Sequence, residues 1–415
     1  MKILFIHQNF PGQFRHLAGH LAANPQNHVM AICQPHAPKH PDIPNTLVYT
    51  PSRKSAPETH HYLRSIEQGV LNGQAVANGL LKLKKEGYVP DIVIAHPGWG
   101  EALYVKDIYP TTPLLSHFEF YYHADGADVD FDPEYPLSLD GRTRIRTRNA
   151  LNLLNLEASD SGISPTLWQK HLHPRVFHHK ISVIHEGINT SIVKPLPGQT
   201  FTLPNGRVLS QKDEVISYVS RNLEPYRGFH QFMRAIPEIC RRRPNSQIVI
   251  VGGDDVSYGQ RLPNGQTYRE KMLKEVSIDP RRVHFLEKIP YATYLTLLQV
   301  SAAHIYLTVP FVLSWSMLEA MAAGCLVVGS NTAPVREVLR HGKNGLLVDF
   351  FSPNQIADAV DEVLTHPNRM QTIRQAARQT IMAHYEVRQS LEQYQTVISG
   401  LLRPVARDTK HPAVI

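Results

Sequence analysis

The sequence predicts an α/β protein of two domains, each built on an open parallel sheet, facing each other across a cleft. Three observations carry this. Short, continuous, β-branched apolar runs alternate with helical patterns along most of the 415 residues, as in βαβ units whose strands are covered on both faces. The runs form two sets, separated by KPLPGQTFTLPNGRVLSQKD at 194–213, a polar, Pro- and Gly-bearing stretch without clear periodicity that reads as a link. The length itself suits two or three domains.

In chain order, the first set places strands at KILFIH (2–7), HVMAI (28–32), DIVIAH (91–96), PLLSHF (113–118) and ISVIH (181–185). The second places them at VISYVS (215–220), QIVIVGG (247–253), VHFL (283–286), HIYLTV (304–309), CLVVGS (325–330) and GLLVD (345–349). The periodicity predicts helices over 65–86, 228–242, 353–364 and 385–402. The boundary falls near residue 195, and the tail ARDTKHPAVI (406–415) reads as loose. Ligands of such sheets sit beyond the carboxyl ends of the strands.

Hydrophobic content of 42% and charged content of 19% mark an ordinary globular chain. Cys33, Cys240 and Cys325 are far apart and form no CxxC, which fits a reducing, cytoplasmic setting rather than a disulfide framework. The opening MKILFIHQNFPG breaks at His7, too early for a signal peptide, and no run of about 18 apolar residues predicts a membrane span. The net charge of +7 is compatible with an anionic substrate or an acidic membrane surface. Nucleic acid is disfavoured, because zinc-finger spacing, an RNP-like motif and a basic tail are all missing.

VSRNLEPYRGF sets Arg221 after a strand and Arg227 just before Gly228, where a helix opens. Two guanidiniums and a helix start make an anion site. In TVPFVLSWSMLEAMAAGCLVVGS (308–330) the strand ends at Pro310, FVLSWS forms a loop, and Ser314 or Ser316 caps the helix carrying Glu319. A carboxylate there can accept hydrogen bonds from two vicinal hydroxyls. In PGQF (11–14) Gly12 lets backbone approach a phosphate. His96, Trp99 and Glu101 in AHPGWGE read as cleft residues, with Trp99 able to stack on an acceptor. His117 and Glu119 in SHFEFYYH share a strand face, and spacing does not choose between them. The acidic ADGADVDFDPEYP (124–136) reads as a solvated loop, with docking onto Arg142–Arg148 of GRTRIRTR as the alternative. The pair His16/His20 and the run HLHPRVFHH (171–179) lack metal-site spacing.

Arg221, Arg227–Gly228, IVGGDD (250–255), VHFLEKI (283–289), the Ser314–Ala320 loop and helix, and GLLVD occur in the order seen in retaining GT-B glycosyltransferases. Over residues 181–365 the chain resembles glycosyltransferase family 4, the glycosyl transferases group 1. The resemblance implies a GT-B fold: two Rossmann-like domains, an acceptor domain over 1–194 and a donor domain over 195–385, with a helix in 386–415 crossing back. It implies a nucleotide-diphosphate-sugar donor, a sugar or lipid-linked sugar acceptor, retained configuration, and no cofactor or bound metal. Polysaccharide or glycolipid assembly, with peripheral contact at the inner face of the plasma membrane, follows from the same analogy.

Carried over by position, the family's diphosphate-binding Arg and Lys fall on Arg221 and Arg227. Donor contacts fall on Gly12, Ile289, the backbone of Leu313, Ser314, Trp315 and Ser316, and Glu319, the second acid of an E-x7-E pair. The first acid falls on Phe311, which is left to face an apolar sugar surface, to fill the core, or to mark lost catalysis. Either His117 or Glu119 stands near the donor sugar, and His96 and Trp99 stand on the acceptor side. A family turn that commonly carries Asn-Gly appears here as Glu186–Gly187 within HEGIN (185–189). The rival readings are a GT-B nucleotide-sugar epimerase and a non-catalytic nucleotide-sugar-binding protein.

Overall fold

A computed structural model describes residues 1–38 and 40–403; the 406–415 tail lies outside the described residues. Seven parallel strands form the first sheet: β1 (Lys2–Ile6), β2 (His28–Cys33), β3 (Thr46–Val48), β4 (Ile92–Ala95), β5 (Leu114–His117), β6 (Ser161–Ser164) and β7 (Ile181–Val183), in the order β3-β2-β1-β4-β5-β6-β7. An antiparallel hairpin follows, β8 (Thr200–Thr202) with β9 (Val208–Ser210). The second sheet has six parallel strands: β10 (Val215–Asn222), β11 (Gln247–Gly253), β12 (Val283–Leu286), β13 (Ala303–Tyr306), β14 (Leu326–Ser330) and β15 (Leu346–Val348), in the order β12-β11-β10-β13-β14-β15. The central strands are fully buried, Ile3 to Ile6 at 0% exposure, which is why they read as unbroken apolar runs rather than alternating ones.

The strand order reverses beside β1 in the first sheet and beside β10 in the second. Chains leaving β1 and β4, and those leaving β10 and β13, therefore diverge and open a crevice at each switch point. The loops at Gly12, His96 and residues 311–316 issue from the ends of β1, β4 and β13, and Arg221 is the penultimate residue of β10.

Several elements differ from the sequence reading. β6 is SGIS, with Ile163 as its one large apolar residue, so it offers no run to detect. It is nonetheless buried, and a Cβ on Gly162 would meet the Phe118 ring at 2.5 Å. Part of the stretch read as link is the β8–β9 hairpin, which turns at Gly206 (φ +84°). Phe201, Leu203 and Leu209 of this hairpin pack against Leu297 and Val300.

The acidic segment 124–136 is solvated only in part: Asp125, Asp130 and Glu134 are exposed, whereas Asp128 and Asp132 are buried. It straps the first domain onto the second. Asp128 accepts from the Tyr226 hydroxyl at 2.8 Å, and Asp132 pairs with buried His230 at 2.9 Å. Glu134 pairs with Arg234, Lys271 donates to the Tyr135 hydroxyl at 3.1 Å, and Phe131 stacks on Phe351. Arg142 does reach back to the segment, bonding Asp125 and Asp130, so the expected arginine contact exists alongside the larger docking. Asp132, Glu134 and His230 together could hold a metal ion. Arg234, however, donates to both Glu134 oxygens, and the group reads as an ion-pair cluster.

At the other edge, helix Pro367–His384 packs on helix Trp315–Ala322 of the second domain. Helix Val387–Leu402 then lies on helix Arg15–Ala22, with Tyr394 and Ile398 in the first domain's core. The crossing is fixed where Ile188 N–H donates to the Tyr385 carbonyl at 2.7 Å. Cys33, Cys240 and Cys325 are free and buried. Among the described residues no helix is long and apolar enough to cross a membrane.

Candidate active site

Two cavities meet at one side chain. The smaller, about 270 Å³, lies between the domains and is walled by Gly12, Gln13, Glu186, Arg221, Arg227 and the 312–315 loop. The larger, about 660 Å³, lies within the first domain and is lined by His96, Trp99 and His117 among others. Glu119 lines both.

Glu119 stands just beyond β5, 28% exposed. One carboxylate oxygen accepts from the Gln13 amide at 2.7 Å, and the other lies 3.5 Å from His96 Nε2. Gln13 in turn meets His7 Nε2 at 2.7 Å. Burial alone would raise the Glu119 carboxyl; His96, His117 and the Gln13 amide outweigh it and hold the group at about 2. Burial lowers the His96 imidazole, so near neutral pH the ionised carboxylate faces a neutral His96 ring. The open choice between His117 and Glu119 is thereby described: Glu119 faces both cavities, while His117 is 2% exposed and turned to Glu186 at 3.3 Å.

Gly12 is required by its surroundings. Its φ is +46°, and a Cβ would lie 2.4 Å from His7 Nε2. Gly12→Ala is expected to displace His7, break its bond to Gln13 and cost about 1–3 kcal/mol, read as a lowered denaturant midpoint.

Glu186 was noted in sequence only as a departure from Asn. It is 6% exposed and accepts from Trp315 Nε1 at 3.1 Å, with His185 at 3.6 Å on the same oxygen. Burial pushes its carboxyl up, but His185 and His117 more than offset this and hold it at about 2. It thus ties the 312–316 loop to the first domain. Gln13 was missed for a plainer reason: no sequence rule links a loop amide to an acid 106 residues away.

On the second domain, Arg221 is exposed and has no hydrogen-bond or ion-pair partner among the described residues. Arg227 is buried; its Nη1 donates to Thr308 Oγ1 at 2.9 Å and the Val312 carbonyl at 3.0 Å. One arginine is free to meet an anion, while the other also braces the loop. Ser314 caps the helix by accepting from Ser316 N–H at 3.3 Å, and Ser314 N–H donates to the Tyr306 hydroxyl at 2.8 Å. That removes two of the four amides expected to face a ligand. The Leu313 and Trp315 amides have no partner among the described residues.

Three positions depart from what was expected of them. Glu319 does not line the donor-side cavity: both its oxygens are taken by the Tyr291 and Tyr294 hydroxyls at 2.6 and 2.8 Å. Burial raises this carboxyl. Ile289 packs against the core beneath the loop rather than on the cavity. Glu101 is 1% exposed, not in the cleft, and accepts from Tyr49 at 2.7 Å; burial lifts it to about 7. His96 and Trp99 are together, stacked at 4.4 Å.

Phe311 belongs to the core. It is 6% exposed and packs on Phe120, Tyr226 and Tyr258 at 4.6 to 5.5 Å between ring centroids. Phe120 comes from the first domain, so this cluster bridges the cleft.

Two family models match the chain: "Glycosyl transferase family 4 group" over residues 25–193 and "Glycosyl transferases group 1" over 203–380. The GDP-mannose-dependent alpha-(1-6)-phosphatidylinositol monomannoside mannosyltransferase of Mycobacterium tuberculosis (strain CDC 1551 / Oshkosh) is 28% identical over 206 residues, 48% of this chain and 50% of that protein. The D-inositol 3-phosphate glycosyltransferase of Corynebacterium glutamicum (strain R) is 28% identical over 193 residues, 45% and 43% of the two chains. The chain thus spans about half the length of the curated relatives it matches. Among solved structures, Anabaena HepE in complex with UDP-glucose superposes with a TM-score of 0.69 at 17% identity, covering 96% of this chain and 100% of that one. Sucrose-phosphate synthase from Thermosynechococcus elongatus gives 0.67 at 17% identity, covering 97% and 99%. The chain belongs to the group 1 glycosyl transferases, glycosyltransferase family 4, and has their GT-B fold.

Proposed function

We propose that the chain is a retaining, metal-independent glycosyltransferase. It takes a sugar from a nucleoside-diphosphate sugar in the interdomain cavity and passes it to a hydroxyl acceptor in the larger one. The observation that carries this reading is Glu119 on the wall common to both cavities, across from Arg221 and Arg227. A sugar carbon that leaves one cavity for the other must pass an ionised carboxylate.

In this mechanism the diphosphate departs toward Arg221, Arg227 and the unpartnered Leu313 and Trp315 amides of the cavity wall, which stabilise the growing negative charge. Glu119 faces the oxocarbenium-like carbon with fixed opposite charge. The acceptor hydroxyl attacks from the face the phosphate leaves, and a departing phosphate oxygen takes its proton, so configuration is kept. Closure across the Phe120–Phe311 aromatic bridge keeps water from competing. The acceptor belongs to polysaccharide or glycolipid assembly.

The test is nucleotide release from UDP-, GDP-, ADP- and dTDP-sugars without acceptor. Slow release from one donor is expected, with the sugar first appearing in the donor's anomeric configuration. Conversion of a nucleotide sugar to its isomer without release would establish an epimerase instead. Tight nucleotide binding without release, even in the presence of sugar acceptors, would establish a binding protein.

A further inference from the structure

The larger cavity has an uneven charge. Its walls carry three cations, Arg53, Lys54 and Arg148, and one carboxylate, Glu119. Arg53 is answered by Glu67, 2.6 Å from its Nη2. Lys54 and Arg148 have no ion-pair partner among the described residues. Arg148 is held in place: its guanidinium lies over the Tyr122 ring at 3.8 Å, and Nη2 donates to the Tyr122 hydroxyl at 2.9 Å. An arginine stacked on an aromatic face has lost its freedom before any ligand arrives, and its remaining N–H edge suits an oxyanion.

The rest of the polar lining is of another kind. Gln68, Asn72 and Asn152 are carboxamides fixed by their own bonds, Gln68 to Asn72 at 3.1 Å, Asn72 to the Trp99 carbonyl at 2.9 Å and Asn152 to the Phe120 carbonyl at 3.3 Å. Amides donate and accept at once, which matches hydroxyls. Ordered amides for hydroxyls and two uncompensated cations for an anion lie in one cavity.

We infer that the larger cavity binds a phosphomonoester-bearing polyol, with the phosphate at Arg148 and Lys54 and a free hydroxyl directed to Glu119. Calling this molecule the acceptor rests on the transfer reading above; the phosphate site does not.

The test is calorimetric titration of glycerol 3-phosphate into the full chain, into Lys54→Ala/Arg148→Ala and into Arg221→Ala. The two sites then report separately. The expected result is two binding components in the wild-type chain. The double variant loses one, with affinity for it weakened about 10-fold or more, and Arg221→Ala loses the other. Both substituted side chains of the double variant are exposed, and unchanged melting curves confirm its fold. If the double variant retains both components, the inference is overturned while the donor site stands. If Arg221→Ala retains both, the donor reading fails while the phosphate site stands. Gluconate binding as tightly as glycerol 3-phosphate would overturn the assignment of a phosphate in favour of a carboxylate.

Discussion

Replacing Glu119 with glutamine is expected to lower kcat by about 10²–10³-fold, the range for losing one preorganised electrostatic partner of a transition state. Nucleotide affinity should change little. Glutamine retains an oxygen for the Gln13 amide and has nearly the same shape, so the loop around Gly12 keeps its anchor. What disappears is a negative charge that His96 and His117 hold ionised down to about pH 2. Steady-state rates with the donor found by nucleotide release, beside a titration with the matching nucleoside diphosphate, separate the two quantities. A variant with unchanged kcat would remove Glu119 from the chemistry. A variant that loses nucleotide binding would place the residue in the ground-state complex instead.

The second large effect is acid lability. Burial pushes His304 down to about 3 and His173 to about 4. Burial, with His96 beside it, lowers His7 to about 3 against the raising effect of Gln13. The unfolded chain protonates these rings below about 6.5, whereas the folded chain does not until pH 3–4. Their contribution is complete above 6.5 and declines as pH falls. At pH 5 each ring costs on the order of 2 kcal/mol. Glu119 and Glu186, both held at about 2, act with the same sign lower down: their stabilisation is present above about 4.5 and lost as pH falls through 2. Urea midpoints measured at pH 7.5, 6 and 5 should fall steadily. A flat profile would mean that these imidazoles are charged in the folded chain.

The fold was legible where burial is two-sided. KILFIH, QIVIVGG and CLVVGS announce themselves because a central parallel strand has no polar face. SGIS does not, because its place in the sheet depends on a glycine admitting Phe118. The hairpin at 200–210 did carry a signal, Asn205–Gly206 between alternating apolar residues, hidden within a stretch whose overall composition resembles a link. At the site, Arg221 and Arg227 could be found from local order along the chain. Gln13, Glu186 and the partners of Glu319 could not, because each is defined by a neighbour from a distant segment. Phe311 shows the limit of motif reasoning. Position left it open between a sugar contact, the core and lost catalysis; packing chooses the core, in an aromatic bridge whose other members, Phe120, Tyr226 and Tyr258, no spacing rule connects.

The strap at 124–136 has a consequence in time. Asp128 and Glu134 lie 98 and 100 residues ahead of their partners Tyr226 and Arg234. At about 5–20 residues per second, a ribosome completes the first sheet and then holds this arm undocked for several seconds before its seat emerges. A greasy arm would be a hazard during that wait. One carrying four aspartates and a glutamate stays hydrated, and Asp128, Asp132 and Glu134 exchange water for protein partners only when Tyr226, His230 and Arg234 arrive. The acidity that made the segment read as solvent-facing is what keeps it soluble in the nascent chain.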